Sequence, residues 1–393
     1  MKFYNDTDTN NIIGMVPFFL SGTAFDTNDD DMKELLTVNA DEADIFCTHI
    51  DRFDSIQTFI DTIELMKDIS NNRDVFWIIE AKDEMVVEWK WEQIKEASKY
   101  FRKDRLLLIS AEIQKNVSDN IITSFPNKLV PYQYLHHNRD LIPFSFINLP
   151  DYLKPNKSLK IISSARKYNP SRDSFYKIFL ERGGEKLMSD DCTFRYHGVT
   201  SQEKIADTPT VKYFSKTYKH EEDVSSDRMV NSENDYYFSL LEEYSKYYFA
   251  LVHETNPKDT FDEFPPRFLP DYLYPSGLNG LQMGEKTLLP MATKTIFFVN
   301  SYSNIESTLN ELGIETFNFI FDEDYDSLML DRRSKKLYNI VEKISNLSHE
   351  QILEIYQRED VQEKLQKNYD YIFYHRDKMN CRNDHIEFLN SLI

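Results

Sequence analysis

The chain has 393 residues and a formal net charge of -20, with 41% hydrophobic and 14% aromatic residues. Such a length predicts two or three domains, and such an apolar share a sizeable core, which excludes a single small fold and a largely disordered chain. Strong acidity argues against non-specific binding to nucleic acid or to an anionic membrane surface.

The N-terminus, MKFYNDTDTNNIIGMVPFFL, has no basic opening and no small-residue cleavage site, so no signal peptide is expected. ADIFCTHI (43–50) predicts a buried strand, followed by a helix carrying Ile56, Phe59, Ile60, Ile63 and Leu65. VFWIIEA (75–81) predicts a strand, WEQIKEASKYF (91–101) a helix and RLLLISAE (105–112) a strand. NKLVPYQYL (127–135) predicts a fourth strand. Alternation of this kind predicts βαβ units and a mostly parallel sheet. PDYLKPNKS (150–158) carries two prolines and reads as a linker.

A second alternating series follows. SLKIISSAR (158–166) predicts a strand, and SRDSFYKIFLERGG (171–184) a helix stopped by glycines. Residues 200–235 are polar and read as an exposed excursion, and a helix is expected over 236–247. YYFALVHET (247–255) predicts a strand, 256–280 with five prolines a long loop, and GEKTLLPMAT (284–293) the start of a helix. TIFFVNS (295–301) predicts a strand, NIESTLNELG (304–313) a helix, and IETFNFIF (314–321) a short extended or helical piece. From 334 the pattern is helical to the end. The domains expected are 1–150, 158–345 and a set of C-terminal helices, 346–393, returning to the first domain. The fold class expected is α/β, with two Rossmann-like domains.

No run approaches the roughly 18 apolar residues of a membrane-spanning helix. Cys47, Cys192 and Cys381 lie far apart with no C-x-x-C pair, which suits a reducing, cytoplasmic setting. With 9 glycines, the chain has neither G-x-G-x-x-G nor a Walker motif. Charge is uneven: 101–200 holds 16 Lys and Arg against 10 Asp and Glu, and is the cationic stretch of an acidic chain. Bound phosphate is expected there.

Three segments carry candidate chemistry. Arg166 and Lys167 follow the strand 158–166, and Arg172 stands at the start of the next helix. Ligands of open α/β sheets lie beyond the carboxyl ends of strands, and helix N-termini and Arg forks favour phosphate. The bland alternative is a solvated basic loop. Glu285 and Lys286, followed by Thr287, open the helix before an apolar strand, where a Glu can take both hydroxyls of a ribose and a Lys can meet a phosphate. An ordinary charged first turn is the alternative there. Phe249-Ala250-Leu251-Val252-His253-Glu254 is a strand ending in two polar residues.

The order of these segments resembles the donor-binding domain of GT-B glycosyltransferases. They are a strand with S-x-x-R (Ser163 to Arg166), Arg172 at the next helix, F-A-L-x-x-E, then E-K-T before an apolar strand. The likeness is greatest to the α-1,3-fucosyltransferase kind and to related bacteriophage and bacterial proteins. In these proteins a G-F-x-T-F segment and a D-E-S-Y-D segment follow. Here they read Gly313-Ile314-Glu315-Thr316-Phe317 and Asp322-Glu323-Asp324-Tyr325-Asp326. The resemblance spans roughly 158–345. One departure is that Glu254 and Glu285 stand 31 residues apart, whereas the family places them close together.

The resemblance implies an inverting, metal-independent transferase of GT-B architecture. It would use a UDP- or GDP-linked sugar as substrate and need no cofactor. Arg172 and Lys286 would hold the pyrophosphate, with Arg166 a second phosphate residue, and Glu285 the ribose; Glu254 and Thr287 complete the donor set. Fixed cations stabilise a leaving nucleoside diphosphate as its charge grows. The base would come from the first domain across a cleft, as a carboxylate or His at a strand end. The resemblance favours Glu80, with Asp51, His49 and Glu112 as rivals. The acceptor would be hydroxymethylated bases of phage DNA, in a host cytoplasm, or a surface polysaccharide or lipopolysaccharide. A non-catalytic binding module of the same fold is the competing class. Asp322-Glu323-Asp324 spells the D-x-D metal signature of the other glycosyltransferase fold, but its late position argues against that role. His136 and His137 are adjacent, so on a strand they point to opposite faces and do not share a metal.

Overall fold

The computed structural model describes residues 2–4, 36–38, 42–49, 56–81, 88–101, 105–110, 121–123, 156–168, 170–199, 204–217, 241–254, 285–301, 304–311, 313–328 and 330–374. The chain divides into two compact units. One is Met1–Arg139 with Pro266–Gln282 and His375–Ile393, the other Asp140–Pro265 with Met283–Tyr374.

The first unit contains six strands: β1 (Lys2–Tyr4), β2 (Leu36–Val38), β3 (Ile45–His49), β4 (Phe76–Ala81), β5 (Leu106–Ser110) and β6 (Ile121–Thr123). All pair in parallel, in the order β2-β1-β3-β4-β5-β6. Helix α1 (Ile56–Asn72) joins β3 to β4 and α2 (Glu88–Ser98) joins β4 to β5; the two helices pack together. A strand buried on both faces needs a continuous apolar run, and Val75–Ile79 is buried throughout. Trp77, buried in that run, donates its indole N–H to Thr48 Oγ1 at 2.9 Å and packs on Phe101. The strand expected at 127–135 lies outside the described residues; β6 is described before it.

The second unit is built on β7 (Leu159–Lys167), β8 (Cys192–Val199), β9 (Tyr247–His253) and β10 (Ile296–Asn300). These form a parallel sheet in the order β10-β9-β7-β8. Helix α3 (Pro170–Glu181) follows β7, α4 (Pro209–Thr217) follows β8, α5 (Glu285–Ala292) precedes β10, and α6 (Ile305–Glu311) follows it. The chain then ends its described part in α7 (Leu330–Asn346), α8 (His349–Tyr356) and α9 (Glu359–Tyr374). Proline at the first position of α3 suits a helix start, where its missing N–H is no loss. Ser348 and Gln351 form a reciprocal capping box at α8.

Two elements of this unit were not expected. Strand β8 falls in a stretch left without assignment, yet Cys192, Phe194, Tyr196 and Gly198 are buried at alternate positions, the pattern of a strand. Helix α4 falls in the supposed exposed excursion of 200–235. Val211 and Phe214, three apart, are fully buried and bring α4 against β8. Gly198 makes that approach possible: its φ is 62°, and a Cβ there would meet Val211 Cγ2 at 2.3 Å. The stretch expected to return to the first domain is divided between the units, with His375–Ile393 in the first. Described residues 346–374 group with the second unit, α9 packs on α5, and Lys294 donates to Gln366 at 2.6 Å.

In both sheets the chain leaves one strand for a neighbour on one side and later returns to the other side. The order reverses between β1 and β3 in the first sheet, and between β7 and β9 in the second. In open parallel sheets, ligands bind beyond the carboxyl ends of the strands at such a reversal.

Candidate functional site

Beyond the ends of β7 and β9, the second unit gathers polar side chains that an apolar sheet would otherwise exclude. His253 closes β9 and pairs in register with Asn300 of β10. Its Nδ1 meets the Asn300 amide nitrogen at 3.0 Å, and its Nε2 meets Ser163 Oγ of β7 at 2.9 Å. Ser163 Oγ lies 3.0 Å from the Tyr176 hydroxyl, which donates to the Arg195 carbonyl at 2.8 Å. The amide can only donate, so Nδ1 accepts and the imidazole proton sits on Nε2. Each hydroxyl then passes its own proton along, and the chain runs in one direction from Asn300 to Arg195. All four side chains of this chain are buried.

That arrangement requires a neutral imidazole. Burial pushes the His253 pKa well below its ordinary value, and the positive charges of Arg172 and Lys286 push it further. Arg172, on the first turn of α3, is 1% exposed and donates to the His253 carbonyl at 3.0 Å. Lys286, on the first turn of α5, is half-buried. Two cations from two helices therefore act on one strand end.

Glu254, the next residue, is 2% exposed. Its carboxylate accepts the backbone N–H of Thr287 at 3.1 Å and the Thr287 hydroxyl at 2.5 Å. A carboxylate at a helix N-terminus satisfies an orphan N–H and meets the positive end of the helix dipole. Glu254 and Thr287 therefore cap α5 and fix the turn that carries Lys286. The sequence separation of 31 between Glu254 and Glu285 does not keep the segments apart: Thr287, the residue after Lys286, is in direct contact with Glu254.

Asp173, beside Arg172, was not singled out by its sequence context. Its carboxylate accepts from Thr208 Oγ1 at 3.1 Å, and burial raises its pKa above the ordinary carboxylate value. Tyr168 and Tyr196 lie near it, each raised by burial and by the Asp173 charge. Asp173 is thus a half-buried carboxyl beside two phenols. Ser163 has a legible signal: a serine among the buried residues of β7, on the same strand face as Ile161 and Ala165.

The other expected residues fall as follows. Arg166 lies on β7 and Glu285 opens α5, but their side chains lie outside the described residues. Glu80 is on β4, its backbone in register with His49 of β3 and Ile109 of β5, near the carboxyl ends of the first sheet. The side chains of Glu80 and His49, and all of Asp51, Glu112, His136 and His137, lie outside the described residues.

The two later segments of the resemblance hold the fold. Glu315 bonds Lys364 and Lys367 of α9, and its backbone N–H meets Asn368 Oδ1 at 2.8 Å. Asp326 accepts the N–H groups of Glu306 and Ser307 at 2.8 and 3.0 Å, capping α6. Glu323, the centre of the D-x-D triplet, meets Lys336 and Lys343 of α7, each at 2.9 Å. Among the described residues no group of three His, Cys, Asp or Glu side chains could hold a metal ion, and no helix is long and apolar enough to cross a membrane. No protein-family model, curated protein or solved structure matches the chain.

Proposed function

We propose that the chain is a glycosyltransferase that binds a nucleotide-diphospho-sugar beyond the ends of β7 and β9. The observation that carries this reading is the grouping of Arg172, His253-Glu254 and Lys286-Thr287 at the strand-order reversal of a parallel sheet. A leaving nucleoside diphosphate gains negative charge as the sugar–oxygen bond breaks, and cations already fixed in a low-dielectric site stabilise it without rearrangement. Glu254 supports the reading indirectly, by locking the turn that presents Lys286. The base that takes the acceptor proton is assigned to Glu80.

UDP- and GDP-sugars should raise the melting temperature of the chain by mass action, in EDTA as well as in buffer. Loss of binding in EDTA would remove the metal-independent mechanism. Absence of binding by both nucleotides would remove the function. Of the two acceptor classes, the net charge of -20 favours a glycan over DNA, because a duplex must be met by cations. A second reading, a non-catalytic module of the same fold, is favoured by the burial of Arg172, His253 and Glu254, each 2% exposed or less.

A further inference from the structure

The amino ends of the same strands carry a different arrangement. Lys157 precedes β7, and its Nζ turns inward to the Tyr244 carbonyl at 3.3 Å and Thr295 Oγ1 at 2.5 Å. Thr295 in turn lies 3.1 Å from that carbonyl and 3.3 Å from the Tyr247 carbonyl. Among the described residues, every atom that Nζ meets is a neutral oxygen. Lys157 also lines a pocket of about 380 Å³ with Tyr248, Leu353, Tyr356, Gln357 and Gln362, and among these described residues it alone is charged. The Tyr248 and Tyr356 rings meet edge to face, 5.1 Å apart. The volume is at the lower end of the range that holds small organic ligands.

Burial lowers the Lys157 pKa well below the ordinary lysine value, with no opposing cause. Lysines used for Schiff-base chemistry are activated in this way, since the unprotonated amine is the nucleophile. Charge then decides between electrophiles. Carbon dioxide would turn the amine into a carbamate anion, with no second cation among the described lining residues to balance it. An aldehyde gives an imine, which is less basic than the amine and stays neutral where an ammonium is disfavoured.

We propose that Lys157 is a reactive amine that forms a Schiff base with a small, uncharged, planar aldehyde entering the pocket beside Tyr248 and Tyr356. The Nζ lone pair attacks the carbonyl carbon, and the carbonyl π pair moves to oxygen. A proton passes from nitrogen to oxygen to give a carbinolamine. Loss of the hydroxyl with the remaining amine proton, as water, leaves the C=N bond. No oxidant or reductant is needed. The inference stands apart from the nucleotide-sugar reading, since it uses none of that site's residues.

The test is reductive trapping on the full chain, with benzaldehyde and sodium cyanoborohydride at neutral pH, read by peptide mass spectrometry. Lys177 and Lys212, exposed on α3 and α4, are internal references. An ordinary lysine is almost wholly protonated at pH 7, so Lys157 should be labelled at least about tenfold faster than either. Leu353 is 40% exposed, so Leu353→Trp should leave the fold intact while filling the pocket mouth, and should slow labelling of Lys157 alone. Labelling of Lys157 no faster than of Lys177 and Lys212 would overturn the proposal. So would unchanged labelling of Lys157 in Leu353→Trp, because the amine would then be reached by another route.

Discussion

The two ends of the second sheet shield ionisable groups from water by opposite means, His253 and Glu254 fully and Lys157 in part. Beyond the carboxyl ends, His253 is neutral inside a directed chain of hydrogen bonds, and Glu254 is matched to a helix N-terminus. Before the amino ends, Lys157 meets neutral oxygens and, among the described residues, no opposite charge. Parallel strands explain part of the difference. Their carboxyl ends face helix N-termini, which supply N–H donors and a positive potential suited to carboxylates and phosphates. Their amino ends face the carbonyl ends of helices, and a buried amine there finds acceptors. The carboxyl edge is thus organised for anions, and the amino edge for an amine.

The largest break in this comparison should come from Arg172. Arg172→Ala removes a buried cation and leaves the His253 carbonyl short of a donor. Losing a buried hydrogen bond from a charged donor costs about 1.5–3 kcal/mol, visible as a drop in the denaturant midpoint. The same change should weaken UDP and GDP binding in a thermal-shift titration. Arg172→Ala with unchanged stability and unchanged nucleotide affinity would take the carboxyl edge out of the function altogether.

His253 should come next. His253→Ala leaves Ser163 and Asn300 short of a buried partner, at a cost of about 1–3 kcal/mol. The pH dependence carries the sign. A histidine held neutral in the fold titrates normally when unfolded, so the unfolded chain binds the extra proton. Stability is therefore full above the unfolded value of about 6.5 and falls below it, by up to about 1.4 kcal/mol per pH unit. Glu306 has the opposite sign. Burial, then the Asp326 and Asp324 charges, raise its pKa, so its contribution is full at low pH and is lost as pH rises through the raised value. Denaturation at pH 5 to 7 in wild type and His253→Phe separates the two: the acid loss should disappear in the variant while the Glu306 trend stays.

Glu254→Gln tests the cap with a smaller change. The amide oxygen still accepts from Thr287, so the hydrogen bonds survive and only the charge at the helix end is lost. The expected cost is about 1 kcal/mol, reduced by added salt. Retained nucleotide affinity in this variant would assign Glu254 to support of α5, and a loss of affinity beyond the stability change would return it to ligand contact.

How much of this was legible in sequence depends on how local the signal is. Apolar runs gave β4, β9 and β10 almost to the residue, because these parallel strands are buried on both faces, β10 even at the sheet edge. Strand β8 is weakly marked in sequence, since polar Arg195 and His197 stand between its alternating apolar residues. Helix α4 is hard to see in sequence because, among its described side chains, only Val211 and Phe214 are both apolar and buried. At the site, Arg172 and Lys286 could be named from position in strand-helix units. The roles of Glu254, Ser163 and Asn300 could not, because each depends on which strand lies beside which. The β7–β9 adjacency that joins Ser163 to His253 spans 90 residues of chain and is fixed by sheet order alone.

The smallest expected effect lies at the amino edge. Lys157→Met keeps the length and apolar stem of the side chain and removes the amine. The Tyr244 carbonyl retains Thr295 Oγ1 at 3.1 Å, so no acceptor is stripped bare. A lysine with a lowered pKa is a burden at neutral pH, because the unfolded chain binds a proton that the folded chain refuses; stability falls as pH drops below the unfolded value of about 10.4. Methionine has no such linkage. Lys157→Met should therefore be as stable as wild type or gain up to about 1 kcal/mol at pH 7, with the gain shrinking as pH approaches 10. A loss of stability at pH 7 would mean that the amine is held as an ammonium by the carbonyls around it, and the contrast between the two ends of the sheet would collapse.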